Sequence, residues 1–220
     1  MKPVDLRLNA ILDPERAGGR DLADLARLVA EGGATLVQLR DKKNETRAMV
    51  AAARAIKAVL APFAVPLVVN DRIDVALAAQ ANGVHIGPDD MAAEDARRLL
   101  GLEAIIGLSV KSVEAAQAAP VGLIDYAGVG GVHVTLSKEQ KSAPIGTDGL
   151  ARIIGILRRR APNLPIAGIA GIDATNAAAV IAAGADGVAV ISALTLASDP
   201  AAAARTLREI VDAMLAKRGT

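Results

Sequence analysis

Short, continuously apolar, β-rich runs recur along the whole chain. They are LRLNAIL (6–12), ATLVQLR (34–40), PLVVND (66–71), GVHIG (83–87), IIGLSV (105–110), DYAGVGGV (125–132), PIAGIAGI (165–172) and GVAVIS (187–192). Runs without polar alternation are what parallel strands show when both faces are covered. The segments between them carry Ala, Leu, Arg and Glu at helical spacing. Examples are DLADLARLVAEGG (21–33), TRAMVAAARAIKAVLA (46–61) and TNAAAVIAAG (175–184), and a last helix is expected over about 199–216. The junctions AEGGATLVQL, AQANGVHIG and AAGADGVAV share one order: helix end, Gly or Asn, small turn, strand. The Gly or Asn is expected to supply the left-handed residue that ends the helix. Eight such alternations predict an α/β fold, a single (β/α)8 TIM barrel over residues 1–220. An open doubly wound sheet competes with it. No G-x-G-x-x-G follows the first run, which weighs against that alternative.

Composition narrows the function. The 220 residues are 52% apolar, enough for one sizeable core. Charges balance at 25 basic against 24 acidic, so no global field favours nucleic acid or an anionic membrane. Phe63, Tyr126 and no Trp leave no aromatic platform for stacking bases. With no Cys there is no disulfide and no thiolate site, which fits a reducing, cytoplasmic setting. MKPVDLRLNAILDPER carries charges through its apolar part and does not read as a signal peptide. AAAVIAAGADGVAVISALTLA (177–197) is long enough to span a bilayer, but Gly-Ala-Asp-Gly at 184–187 cuts it into a helix and a strand.

A barrel places active residues at the C-terminal ends of its strands and in the loops that follow. After the second run, Gln38, Arg40 and Lys42 alternate onto one face, an amide and two cations suited to an anion. A solvated loop with an Arg40–Asp41 surface pair is the plain alternative. After the third and fourth runs stand Asn70-Asp71 and Asp89-Asp90. Neighbouring strand ends lie close, so an Asp from each can converge as hard oxygen ligands for Mg²⁺. Helix capping would explain one Asp per helix, but not the pairs. The fifth strand is expected to end in Gly107-Leu108-Ser109, which leaves one hydroxyl, Ser109, at a strand end. A long loop after the sixth (133–149) offers Thr135, Ser137 and Lys138 as an anion grip. Gly171 after the seventh run, and Ile191-Ser192 after the eighth, sit where phosphate sites recur in this fold. Close packing could equally call for Gly171. His85 falls mid-strand and reads as a satisfied core side chain, and no zinc or triad constellation accompanies it or His133. Two anion sites side by side suggest a transferase.

VQLRDK (37–42), VND (69–71), GVHIGPDD (83–90), IGLS (106–109), DYAGVG (125–130) with TLSK (135–138), IAGI (169–172) and VIS (190–192) together resemble the thiamine-phosphate synthase family. The resemblance runs in order along nearly the whole chain. It implies Mg²⁺-dependent coupling of two small molecules, hydroxymethylpyrimidine diphosphate and hydroxyethylthiazole phosphate. The products would be thiamine phosphate and pyrophosphate, formed by a dissociative mechanism. By position it implies that Gln38, Arg40, Lys42, Asn70, Ser109 and Lys138 contact the pyrimidine diphosphate, with Arg40, Lys42, Ser109 and Lys138 catalytic. It implies that Asp71 and Asp90 bind Mg²⁺ and leaves Asp89 to a structural role. Thr135 and Ser137 would contact the thiazole, and Gly171, Ile191 and Ser192 its phosphate. A homo-oligomer is compatible with this reading. The chain departs from the family pattern at Ala170-Gly171, usually Gly-Gly. It departs at Gly130-Gly131-Val132-His133, usually Gly-Pro with an apolar and an aromatic residue. The third departure is Thr135-Leu136-Ser137, usually Thr-x-Thr. A thiazole tautomerase-like paralogue and a non-catalytic phosphate-ligand sensor are the rival functions on the same barrel.

Overall fold

In the computed structural model, which describes residues 4–137 and 143–219, each of the eight apolar runs contributes one strand. They are β1 (Leu8–Leu12), β2 (Leu36–Leu39), β3 (Leu67–Asn70), β4 (Gly83–Ile86), β5 (Ile105–Val110), β6 (Tyr126–Gly130), β7 (Ile166–Ile169) and β8 (Gly187–Val190). All neighbours pair in parallel, and β8 returns to β1, so the sheet closes into an eight-stranded barrel. Apart from β5, which fills its run, the strands are shorter than the apolar runs because the outer residues of the run turn into loops. The helices are α1 (Leu22–Glu31), α2 (Thr46–Leu60), α3 (Ile73–Ala79), α4 (Ala93–Leu100), α5 (Val113–Ala118), α6 (Gly146–Arg160), α7 (Ala177–Ala182), a single-turn α8 (Ser192–Thr195) and α9 (Pro200–Arg218). Residues 177–197 divide into α7, β8 and α8. Among the described residues no helix is long and apolar enough to cross a membrane.

Two apolar zones follow from strand alternation. Residues facing outward, such as Leu8, Val37, Leu67, Val84 and Val129, pack with the helices in one continuous cluster. Residues facing inward, among them Ile11, Leu36, Val68, Tyr126 and Ala189, form a smaller cluster inside the barrel. Barrel interiors of this kind are filled with side chains and leave no pore. Tyr126 is fully buried there, and its ring occupies the space a side chain at Gly107 would need: a Cβ built on Gly107 would lie 2.1 Å from the Tyr126 ring.

The expected junctions hold in two of three cases. Gly33 (φ 99°) after α1 and Gly184 (φ 106°) after α7 take the left-handed conformation. After α3 it is Gln80 (φ 54°) that turns left-handed, not Asn82 or Gly83. Asn82 instead pins the base of β3, where its Oδ1 accepts the Leu67 N–H at 2.9 Å. The same device recurs before every even strand. Thr35 Oγ1 accepts from Leu8 N–H (3.1 Å), Asp125 from Ile106 N–H (2.8 Å) and Asp186 from Ile166 N–H (2.8 Å). One polar side chain per strand pair thus satisfies a strand's first exposed donor at the N-terminal face of the barrel.

Candidate active site

The first functional cluster is built on the ends of β1 to β5. Gln38 lies inside the barrel and is buried, in register with Ile11 of β1 and Val68 of β3. Two residues further on, Arg40 is half-buried and donates to the buried carboxylate of Asp13, which follows β1 and also caps the short turn at Pro14–Arg16 through Glu15 N–H (2.9 Å). The expected alternative of an Arg40–Asp41 pair is not formed. Asp41 instead ties down its own loop, accepting from Lys43 N–H (3.1 Å), Asn44 N–H (3.0 Å) and Asn44 Nδ2 (2.7 Å). Lys42 reaches across to Asp71.

Asp71 and Asp90 converge. Asp71 follows β3 in the left-handed conformation (φ 62°), one that Asp tolerates better than most residues. Its N–H bonds to His85 O of β4 at 2.8 Å, which ties the two strand ends together. Its carboxyl shares a hydrogen bond with that of Asp90. Asp90 is itself fixed by the Gly87 N–H (2.7 Å). Neither acid caps a helix: α3 begins from Arg72 and α4 from Ala92, both without a side-chain cap. Asp89 is exposed. Burial, then the adjoining Asp90 carboxyl, push Asp71 up to about 6, against the pull of Lys42. Burial also works against charge on Asp90. The hydrogen bonds from the Asp71 carboxyl and Gly87, with Lys42 nearby, nonetheless hold Asp90 below the ordinary carboxylate range. Two oxygen donors forced together at this cost suit a small hard cation: two carboxylates, with water and phosphate oxygens completing the shell, is how Mg²⁺ is usually held.

Asn70 ends β3 beside His85 in register, and Ser109 lies one residue before the end of β5, beside Gly128. His85 is buried and bonded at both ring nitrogens, Nδ1 to Tyr126 Oη (2.9 Å) and Nε2 to Ser109 Oγ (2.9 Å). It is a satisfied core histidine, as expected, yet one of its partners is a candidate site residue.

The second cluster surrounds a cavity of about 380 Å³ above β6, β7 and β8. Thr135, Ser137, Gly171, Ile191 and Ser192 all line it. Ser137 is buried and its N–H bonds to Thr135 Oγ1 (3.1 Å). Gly171 sits at φ 64°, and an added Cβ would come within 2.3 Å of Val134 O and 2.8 Å of His133 Cβ. Close packing of the loop at 132–134 therefore accounts for glycine at 171 without any ligand. Its neighbour Ala170 holds φ 86° although it carries a methyl group. Lys138 lies outside the described residues, so it is not placed relative to either cluster.

Three residues that shape the site were not picked out from the sequence. Asp13 follows β1 at the same kind of strand end as the others, and the strand-end rule applied to the first run would have found it. His85 and Tyr126 carry no local signal, since their pairing spans 41 residues.

The model for the family described as thiamine monophosphate synthase matches residues 8–194. The thiamine-phosphate synthase of Agrobacterium fabrum (strain C58) is 48% identical over 218 residues, covering 99% of both chains. That of Moorella thermoacetica is 47% identical over 204 residues, covering 93% of this chain and 95% of that one. Among solved structures, thiamine phosphate pyrophosphorylase from Pyrococcus furiosus superposes with a TM-score of 0.84 at 35% identity, covering 96% of this chain and 98% of that one. (S)-3-O-geranylgeranylglyceryl phosphate synthase from Thermoplasma acidophilum, at 15% identity and a TM-score of 0.66, shares the fold alone. The family match opens at the first residue of β1 and closes inside α8, so every strand end of both clusters falls within it, and the chain belongs to the thiamine monophosphate synthase family.

Proposed function

We propose that this chain joins hydroxymethylpyrimidine diphosphate to hydroxyethylthiazole phosphate, giving thiamine phosphate and pyrophosphate. One observation carries the assignment beyond family membership. The C-terminal rim divides into a cation-and-carboxylate cluster on β1 to β5 and a separate cavity over β6 to β8. That is one compartment for each of two anionic substrates.

In this reading Arg40, Lys42 and Lys138 hold the diphosphate, and Gln38, Asn70 and Ser109 orient the pyrimidine. Asp71 and Asp90 would hold Mg²⁺, which when bound supplies electrostatic stabilisation of the leaving diphosphate. The bond between the pyrimidine methylene carbon and the diphosphate oxygen breaks first, and its electron pair leaves with the diphosphate. The thiazole nitrogen then donates its lone pair to the methylene cation and forms the new C–N bond. Thr135 and Ser137 position the thiazole; Gly171, Ile191 and Ser192 hold its phosphate. No protein nucleophile or strong base is consumed. The chain's contribution is the charge placed around the diphosphate and the alignment of two bound reactants. Asp13 supports this by fixing the Arg40 guanidinium from behind.

The test is a coupling assay with both substrates and Mg²⁺, following thiamine phosphate and pyrophosphate together. Equimolar appearance of the two is the expected result. Thiazole isomerisation without coupling would replace the proposal with a tautomerase, and tight binding without turnover would replace it with a sensor. Lys138→Ala is expected to weaken pyrimidine diphosphate far more than thiazole phosphate. Equal losses for both would remove Lys138 from that role.

A further inference from the structure

The buried chain Tyr126–His85–Ser109 settles which atom of the site is a hydrogen-bond donor. Tyr126 is fully buried inside the barrel, and burial pushes its hydroxyl far above the ordinary range, so it keeps its proton. Among the described residues that hydroxyl has one hydrogen-bond partner, His85 Nδ1 at 2.9 Å. If Nδ1 carried a proton, the tyrosine proton would be left without an acceptor in the barrel interior, a penalty larger than the gain from one ordinary hydrogen bond. Nδ1 must therefore accept, and the imidazole proton sits on Nε2. Nε2 then donates to Ser109 Oγ at 2.9 Å. With one lone pair engaged from below, the Ser109 hydroxyl has its own proton to give. Ser109 stands half-exposed at the C-terminal end of β5, on the rim of the barrel.

We propose that His85 and Tyr126 are positioning residues that lock Ser109 as a hydrogen-bond donor toward an acceptor atom of the pyrimidine diphosphate, a phosphate oxygen or a ring nitrogen. The proposal rests on the assignment of Ser109 to that substrate; the tautomer of His85 does not depend on it. The rest of the interior is shaped to hold the chain of bonds. Gly107 leaves room for the tyrosine ring, and a Cβ on Gly128 would stand 3.2 Å from His85 Cε1. A glycine on each flanking position lets ring and imidazole lie side by side, with centroids 5.4 Å apart.

Two measurements test it. The first is long-range ¹H–¹⁵N correlation of the uniformly labelled chain without substrates, with His85→Gln identifying the His85 signals against those of His133. A proton on Nε2 is expected; a proton on Nδ1 overturns the proposal. The second is a kinetic double-mutant cycle of Tyr126→Phe and Ser109→Ala. Tyr126→Phe keeps the ring and removes the donor, and is expected to raise KM for pyrimidine diphosphate by about five- to tenfold, the scale of one hydrogen bond, with KM for thiazole phosphate unchanged. In the Ser109→Ala background the same change is expected to add less than about twofold. An equal penalty in both backgrounds means a structural role and overturns the relay. His85→Gln can still offer an amide N–H near Nε2, so it is expected to retain most of the affinity that His85→Leu loses; equal losses count against the relay. If Ser109→Ala alone leaves KM for pyrimidine diphosphate unchanged, the substrate assignment of Ser109 falls, while an Nε2 proton in the first measurement would still stand.

Discussion

Among the described carboxyls of the rim, Asp71 is the one whose charge burial and the adjoining Asp90 most strongly oppose. Its folded carboxyl is pushed up to about 6 from an ordinary 3.8. The folded state therefore binds more protons than the unfolded state between these values, and stability of the metal-free chain rises as pH falls through that window. Above pH 6 the ionised acid is held against its surroundings. Asp71→Asn is expected to raise Tm at pH 8 in EDTA by about 2–4 °C for each kcal/mol recovered, an advantage that fades as pH approaches 4. With Mg²⁺ added, the native chain should gain stability and the variant should not. Turnover in the variant should fall by about a hundredfold or more, as expected when a charge-stabilising group is lost. A variant no more stable than the native chain at pH 8 would refute the cost. Ala170 is the opposite case, a backbone oddity in a well-bonded setting. It holds φ 86° because His133 N–H bonds to its carbonyl (3.1 Å) and Val132 N–H to the carbonyl of Ile169 (2.9 Å). A methyl group in the left-handed region costs about 1–2 kcal/mol, partly offset by the looser unfolded chain of glycine. Ala170→Gly should therefore stabilise by about 1 kcal/mol, read from denaturant midpoints at constant slope.

Elements carry function here through what their ends touch. The turn after β7 and the loop at 132–134 interlock at Gly171, where no Cβ fits beneath Val134 O. Gly171→Ala is expected to push that loop away and open the cavity lined by Thr135 and Ser137. KM for thiazole phosphate should rise about tenfold or more while KM for pyrimidine diphosphate stays within about twofold, since a strained position of this kind costs about 1–3 kcal/mol. Equal effects on both substrates would mean the two compartments are not independent. The candidate site residues were legible because strand ends can be counted along a sequence: Arg40, Lys42, Asn70, Asp71 and Asp90 fall at the last residue of a strand or within four residues past it, and Gln38 and Ser109 one residue before it. Their partners were not legible. Asp13 to Arg40 and His85 to Tyr126 join residues whose proximity exists only once β1 lies beside β2, and β5 lies between β4 and β6. The reading of Asn82 as a left-handed cap failed for the same reason, because its hydrogen-bond partner is the first residue of β3 and not its own helix.

At the scale of the molecule the two ends of the barrel do different work. The C-terminal end gathers the charges of the site, while the N-terminal end holds the polar side chains that pin strand starts. Asp125 is the most buried example. It accepts from Ile106 N–H and pairs with the buried Arg97 of α4 at 2.6 Å, and Arg97 also donates to Ala104 O (2.7 Å) and Leu123 O (2.9 Å). Removing one member of a buried pair strands the other charge, at about 3–5 kcal/mol. Asp125→Ala should lose that much stability, measured by chemical denaturation, and keep near-native kcat and KM at temperatures where it stays folded. A proportional loss of activity in the folded variant would show that the two ends are coupled. Strand number, helix alternation and the rim positions followed from the chain alone, because hydrophobic period and turn chemistry are local properties of consecutive residues. Folding added the convergence of the Asp71 and Asp90 carboxyls, the tautomer proposed for His85 and the cavity over β6 to β8. Each of these depends on distances across a closed barrel, and closure brings together side chains that no local pattern in the sequence can pair.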